Sequence, residues 1–346
     1  MKVAALLERI AMDTMNAWAL TEAGPIDTNP LSYERKPIPR PGAGELLVRV
    51  NACGVCRTDL HVSEGDLAPH RARVTPGHEI VSTVVELGAE VSDLSVGDKV
   101  GVAWLRQTCG TCRYCRRGAE NLCPYSQYTG WDDDGGYAEY CTVPAAFAYR
   151  LPGGYDDVEL APLLCAGIIG FRALRVAGVQ PGEHVGLYGF GSSAHLALPL
   201  LKSWGCTVSV VSRGANHRAF AEKLGADWVG NETARPPQPL DRAVTFAPAG
   251  AVVVAALGAL RKGGVVAINA IHLDCIPRFD YDSLLWGERQ IRSVANMTRA
   301  DARDFLEIAA KIGLKPQVTV FPLDQANEAL AAVKKDQING AAVITI

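Results

Sequence analysis

The run Cys53-Gly54-Val55-Cys56-Arg57-Thr58-Asp59-Leu60-His61 gathers thiols, a hydroxyl, a carboxylate and an imidazole into a few consecutive positions. Farther on stand Pro76-Gly77-His78-Glu79 and, much later, Cys165 within Ala161-Pro162-Leu163-Leu164-Cys165-Ala166-Gly167. Two thiolates and an imidazole can hold zinc, and three protein ligands leave one tetrahedral position open for chemistry. Cys56, His78 and Cys165 are therefore read as one open zinc site, with Thr58 and His61 placed to move a proton beside it. Cys53 competes for the first ligand position, and Cys56 is preferred because it lies nearer Thr58 and Asp59. Taken alone, Cys165 would read as a small buried hydrophobe.

Cys109, Cys112, Cys115 and Cys123 form a second cluster, with gaps of two, two and seven residues. Thiolates at this spacing can fill all four positions around a zinc ion, giving a closed site that holds a lobe together and does no chemistry. Two disulfides or four free thiols in a loop are the alternatives. Gly110, Tyr114 and Gly118 add the turn character that such a lobe needs. Metal-binding thiols in a chain of this size point to a reducing compartment, and so to the cytoplasm. Cys141, Cys206 and Cys275 have no partner at metal spacing and read as core residues. His70, His184, His195, His217 and His272 are given the same structural reading.

A third signal is Gly189-Phe190-Gly191-Ser192-Ser193-Ala194, which follows the strand-like His184 to Tyr188 and opens a helical segment. In that context the glycines allow close backbone approach to a pyrophosphate at a helix N-terminus. A tight strand–helix turn with no ligand is the alternative. The next strand, Thr207 to Val211, ends in Ser212-Arg213, where an NAD site expects an acid for the ribose hydroxyls. A hydroxyl and a guanidinium suit a 2′-phosphate, so the cofactor expectation is NAD(P)(H) with NADP(H) favoured. Arg213 stacked on adenine, with NAD(H) also used, is the competing account.

These residues need two different scaffolds. From Met15 to about Arg150 short β-rich runs are broken by Gly and Pro: Leu46 to Val50, Ile80 to Leu87, Lys99 to Ala103 and Tyr137 to Val143. Leu160 to Ala177 reads as a helix, and beyond Glu183 strands and helices alternate, as in a doubly wound parallel sheet. The helical segment Arg299 to Ile312 and the strand Ala341 to Ile346 are expected to return to the first domain. Ala234-Arg235-Pro236-Pro237-Gln238-Pro239 reads as a surface loop. With 346 residues two domains are the natural expectation. Balanced charge, net −3, supplies no electrostatic reason for a nucleic-acid or anionic-membrane partner. No apolar run is read as long enough to cross a bilayer. Residues 1–14 read as an N-terminal extension: a short added helix, or a start upstream of a second candidate at Met15, and no targeting signal.

With these residues placed, Met15 to Ile346 resembles the zinc-containing medium-chain alcohol dehydrogenases. The resemblance rests on Cys-Gly-Val-Cys-Arg-Thr-Asp-Leu-His, Pro-Gly-His-Glu, the four-cysteine lobe, Leu-Cys-Ala-Gly and the nucleotide fingerprint. It implies an α/β protein with a β-rich GroES-like catalytic domain in two segments, 15–164 (structural-zinc lobe 105–125) and 298–346. Between them it implies a Rossmann domain at 165–297. By the same resemblance each subunit carries two zincs, one catalytic on Cys56, His78 and Cys165, the ligand set known for this family, and one structural. Glu79 matches an acid that can transiently reach the metal, and Asp59 the partner that orients His78. Thr58 and His61 match a proton relay, Arg57 a pyrophosphate contact, and Trp104 an indole in the substrate pocket that favours small primary alcohols. Ile169 stands where family members often carry threonine against the nicotinamide. The subunits are expected to form a homo-oligomer, a tetramer in preference to a dimer.

The resulting expectation is reversible hydride transfer between a small-molecule primary alcohol or aldehyde and NAD(P), with zinc as Lewis acid. Within the enzyme class the alternative is an aldehyde reductase running mainly toward alcohol, or an enzyme for bulky aromatic or allylic substrates. A zinc-free quinone reductase is disfavoured by the ligands and the lobe. From another class, the alternative is a non-catalytic zinc- and nucleotide-binding protein.

Overall fold

The computed structural model describes residues 14–346; the expectation for the N-terminal extension falls, but for Thr14, outside them. The described chain divides into two compact units, residues up to Cys165 with Val318–Ile346, and Ala166–Gln317.

In the first unit, β1 (Thr14–Leu20) pairs with β2 (Leu31–Pro37) as an antiparallel ribbon. The main sheet is built on β3 (Glu45–Val55), flanked by β4 (Glu79–Leu87), with β5 (Lys99–Val102) beyond it. The lobe carries the short ribbon of β6 (Leu105–Gln107) and β7 (Gln127–Tyr128). β8 (Tyr140–Pro144) pairs with the first half of β3, and β9 (Ala148–Arg150) closes the edge beside β5.

β3 shows why this sheet forms. Its alternate residues Leu46, Val48 and Val50 join Ile80, Val84, Val100 and Val102 in one apolar cluster. Leu47 points the other way, to Met15, Ala17, Val85 and Tyr140. Side chains of successive strand residues face opposite sides, so a strand buried on both faces must be apolar at both phases. Fully burying each such side chain contributes about 1.5–3 kcal/mol.

The second unit opens with α1, here the helix Ala166–Ala177. A six-stranded parallel sheet follows: β10 (His184–Tyr188), β11 (Thr207–Val211), β12 (Trp228–Gly230), β13 (Leu240–Thr245), β14 (Leu260–Ile268) and β15 (Gln290–Ser293). Their order is β12-β11-β10-β13-β14-β15, a doubly wound arrangement whose direction of winding reverses between β10 and β13. Between strands run α2 (Ser192–Ser203), α3 (Ala215–Lys223) and α4 (Gly250–Ala259).

Three expectations need correction. The helix Arg299–Ile312 (α5) belongs to the second unit, so that unit runs to Gln317 and not to 297. Ala302, Phe305, Leu306 and Ala309 form its buried stripe, and Phe305 lies against Phe171 of α1, ring centroids 5.9 Å apart. Gly167 leaves the space Phe305 occupies, since a Cβ there would stand 2.4 Å from its ring. Arg172 to Asp301 (2.5 Å) and Arg175 to Asp304 (2.7 Å) pin the outer edge of the same contact. Only β16 (Val318–Pro322), the helix Ala326–Lys334 and β17 (Ala341–Thr345) return to the first unit, where β17 pairs with the second half of β3.

The helix read over Leu160 to Ala177 is also interrupted. A short helix (Asp157–Leu160) passes into a 3₁₀ turn (Ala161–Leu164), and the backbone breaks at Cys165 (φ −131°, ψ −69°) before α1. By length and hydropathy Asp157–Ala177 does qualify as a bilayer span, contrary to the sequence reading. Of its most apolar 18 residues, however, 78% are buried, as in a core segment.

Candidate metal and nucleotide sites

The active-site stretch is a strand end turned into a helix start. β3 stops at Val55, and Cys56, extended at φ −113°, caps the helix Arg57–Glu64. The antiparallel register Gly54↔Glu79 lays this turn beside the start of β4, which brings His78 and Glu79 to Cys56. Gly54 has to be glycine: a Cβ there would sit 1.9 Å from Glu79 Oε2. Gly77, at φ +100°, turns the chain before His78, and its missing side chain leaves room for Tyr137 and the Cys53 sulfur. Cys165 arrives on the 3₁₀ segment, seated by Leu164 over Gly101, where a Cβ would meet the leucine at 2.5 Å.

The outcome is a cluster in which ligand atoms of Cys56, His78, Glu79 and Cys165 all lie within 4.8 Å of one another. Cys53 is elsewhere, buried with its thiol toward the Gly54 carbonyl (3.5 Å). Asp59, 1% exposed, accepts from the Cys56 backbone N–H (2.9 Å), the Gly77 N–H (3.1 Å) and His78 Nδ1 (2.8 Å). With Nδ1–H committed to Asp59, Nε2 is the lone-pair atom. It is buried with no hydrogen-bond partner among the described residues, a cost a metal ion would relieve. Two sulfurs, one imidazole nitrogen and a carboxylate in reserve match the preferences of zinc.

The titratable groups of this pocket shift one another strongly. A hydrogen bond from Cys165, then His78 nearby, holds the Cys56 thiol well below its usual range. The same bond, with burial, pushes Cys165 well above it. Burial alone would lower His78, but Asp59 and Cys56 outweigh it and raise it strongly. Burial, reinforced by the charge on Cys56, raises the Glu79 carboxyl far above the ordinary carboxylate range.

Thr58 is buried, its hydroxyl 3.7 Å from the Cys56 sulfur. His61 lies on the same helix, and its Nδ1 meets Asp66 Oδ2 at 2.8 Å after Gly65 (φ +86°) turns the chain back. Arg57 lies at the surface, 3.4 Å from Asp336. Trp104 meets the ring of His78 edge-on at 5.0 Å. Tyr128 (5.0 Å) and Trp131 (5.9 Å) stack against Trp104, and His70 covers Trp131 at 3.9 Å.

In the lobe the four sulfurs of Cys109, Cys112, Cys115 and Cys123 lie within 4.8 Å of one another, and all four thiols are free. The Thr111 and Cys112 backbone N–H groups hold Cys109 down to about 6.

In the second unit Gly189 (φ +89°) makes the turn after β10, and a Cβ there would stand 2.9 Å from the Ala247 nitrogen. Phe190 is buried against Phe220, ring centroids 5.9 Å apart. Gly191 caps α2, whose first intrahelical bond of this turn is His195 N–H to Gly191. The N–H groups of Ser192, Ser193 and Ala194 are therefore the free donors of a helix start, at the point where the sheet order reverses. Ser212 is buried and Arg213 exposed at the end of β11.

Sequence reasoning missed Gly54, Asp66, Tyr128 and Trp131. A lone glycine inside a strand pattern signals close approach and could have marked Gly54; Asp66 reaches His61 only through the turn at Gly65, and Tyr128 and Trp131 reach Trp104 from a distant loop. Cys275 is exposed, not a core residue, because it lies in the loop after β14. His70 is likewise at the surface.

Comparison with known proteins agrees with this geometry. The family model for the alcohol dehydrogenase GroES-like domain matches residues 42–153, and that for zinc-binding dehydrogenase matches 194–311. A probable alcohol dehydrogenase, AdhA, of Mycobacterium tuberculosis (strain CDC 1551 / Oshkosh) is 54% identical over 96% of this chain and 98% of its own. An alcohol dehydrogenase of Geobacillus stearothermophilus is 37% identical over 92% and 96%. The cobalt- and zinc-bound thermostable alcohol dehydrogenase from Pyrobaculum aerophilum superposes with a TM-score of 0.87 at 27% identity, over 96% of this chain and 100% of that one. Similarity this close over whole chains means that the chain belongs to the zinc-containing medium-chain alcohol dehydrogenase family, oxidoreductases acting on CH–OH groups.

Proposed function

We propose that this alcohol dehydrogenase holds its catalytic zinc on Cys56, His78 and Cys165, with Glu79 as a reserve ligand, and a second, structural zinc on Cys109, Cys112, Cys115 and Cys123. The observation that carries the proposal is the buried, unpartnered Nε2 of His78 within 4.8 Å of both thiols and of Glu79. When bound, zinc supplies a Lewis acid that acidifies an alcohol hydroxyl, and the nicotinamide supplies a hydride acceptor.

The chain's own residues do the rest. Asp59 fixes the His78 tautomer and the start of the active-site helix together. The Thr58 hydroxyl takes the substrate proton and His61 passes it on, with Asp66 holding Nδ1 so that Nε2 accepts. Trp104 bounds the substrate beside His78 and excludes water from it. Free N–H groups at Ser192–Ala194 hold the pyrophosphate. Ser212 and Arg213 favour NADP(H).

The stacked row Trp104–Tyr128–Trp131 favours a second reading of specificity, toward flat aromatic or allylic alcohols over small aliphatic ones. Initial rates with NADP and NAD across graded aliphatic and aromatic alcohols, and the matching aldehydes, test all of this. Alcohol-dependent reduction of NADP in preference to NAD is expected; no turnover with any alcohol or aldehyde would leave only a zinc- and nucleotide-binding protein. Ten free cysteines fit a reducing, cytoplasmic setting, and we expect a homo-oligomer, tetramer before dimer, testable by sedimentation.

A further inference from the structure

The loop after β11 is held by a residue to which no role has yet been given. Arg218, half-buried on α3, sends one guanidinium nitrogen, Nη1, to two consecutive backbone carbonyls: Ser212 O at 2.8 Å and Arg213 O at 2.6 Å. In a trans peptide the carbonyl and the following N–H point to opposite sides. Two carbonyls drawn to one guanidinium therefore turn the N–H groups of Arg213 and Gly214 the other way. Neither donates to any described part of the chain, and Ser212, whose own N–H goes to Gly230 O (3.0 Å), keeps a buried hydroxyl beside them. Successive N–H groups facing one side make a concavity that suits an anion. Gly214 is also the N-cap of α3, so the positive end of that helix lies at the same place.

We infer that Arg218 is a positioning residue for the 2′-phosphate of the cofactor: it draws away two carbonyl dipoles that would repel the phosphate and turns two N–H donors toward it. This rests on the NADP(H) reading of Ser212 and Arg213, and it differs from a direct contact. The ligand is a phosphomonoester on a ribose 2′-oxygen; Arg213 supplies the exposed charge and Arg218 the shape of the loop.

The test is calorimetric binding of 2′,5′-ADP and 5′-AMP to the full-length, zinc-loaded protein, so that no turnover is needed. Wild type should bind 2′,5′-ADP more tightly than 5′-AMP. Arg218→Gln should lose about tenfold or more in affinity for 2′,5′-ADP, the scale of a charge-assisted hydrogen bond, while 5′-AMP binding changes less than about twofold. Arg218→Lys, which keeps a cation able to reach both carbonyls, should recover part of the loss and guards against misfolding of the glutamine variant. Equal loss for both ligands in the two variants would mean a merely structural role, and no loss for either would mean none; both overturn the inference while leaving the NADP(H) reading intact. Equal affinity of wild type for the two ligands would instead overturn that reading, and this inference with it.

Discussion

Asp59→Asn changes one atom type at the best-connected side chain of the metal site. Its Oδ1 accepts from Gly77 N–H (3.1 Å) and His78 Nδ1 (2.8 Å), and its Oδ2 from Cys56 N–H (2.9 Å). An asparagine can satisfy only one side. With its oxygen toward Gly77 and His78, its NH₂ opposes the Cys56 N–H, and the cap of the active-site helix is lost. With its NH₂ toward His78, Nδ1 must accept, the proton moves to Nε2, and the ring can no longer ligate. Losing one hydrogen bond to a charged group costs about 1.5–3 kcal/mol, and an opposed buried donor adds about 1–3 more, so the first unit should lose about 2.5–6 kcal/mol. Metal affinity should fall about 10–100-fold, as for other partners of ligating histidines. Zinc titrated against a competing chelator, with thermal unfolding in parallel, reads both quantities. Unchanged zinc affinity in Asp59→Asn would refute the assignment of Asp59 as the orienting group.

Three further outcomes follow from particular contacts. Gly54→Ala places a methyl 1.9 Å from Glu79 Oε2 and 2.8 Å from its Cβ, so β3 and β4 must separate locally. It should cost about 1–3 kcal/mol and lower catalytic-zinc occupancy, whereas Gly153→Ala, with nothing within 4 Å, should stay within about 0.5 kcal/mol. Burial depresses His195 to about 4, against the smaller opposing effect of the Ser192 and Gly191 backbone. Its unfolded value is about 6.5, so between those pH values the unfolded state binds more protons and stability falls as pH falls, by about 3 kcal/mol in all. In His195→Leu that loss is absent, and thermal unfolding from pH 7 to 4.5 should show a shallower decline than wild type. Trp131→Ala should lower kcat/KM for aromatic alcohols more than for ethanol if the stacked row binds substrate; an equal effect on both would refute the aromatic preference.

Much of this site was legible because its ligands come in short runs whose spacing is set by one turn. Cys56 to His61 fall on a strand end and a helix start, and the four lobe cysteines lie in a single loop, so no tertiary information is needed to group them. Cys165 was harder, since its segment reads as one continuous helix. The break at Cys165 follows from Leu164 seating over Gly101, a packing contact between distant positions. The helix Arg299–Ile312 failed for a similar reason. Its apolar stripe declares that it packs on something, but Gly167 and Phe171, which decide on what, lie far back in the chain. Asp66 and Trp131 were invisible because each matters only through a turn or a loop that brings it to His61 or Trp104.

The central claim, an open thiolate–imidazole zinc beside a closed four-thiolate one, is tested most directly by counting metal. Elemental analysis of purified wild type should give two zincs per chain, and Cys56→Ser should give one, with alcohol-dependent NADP reduction abolished and the fold retained. Two zincs and undiminished turnover in Cys56→Ser would contradict the account.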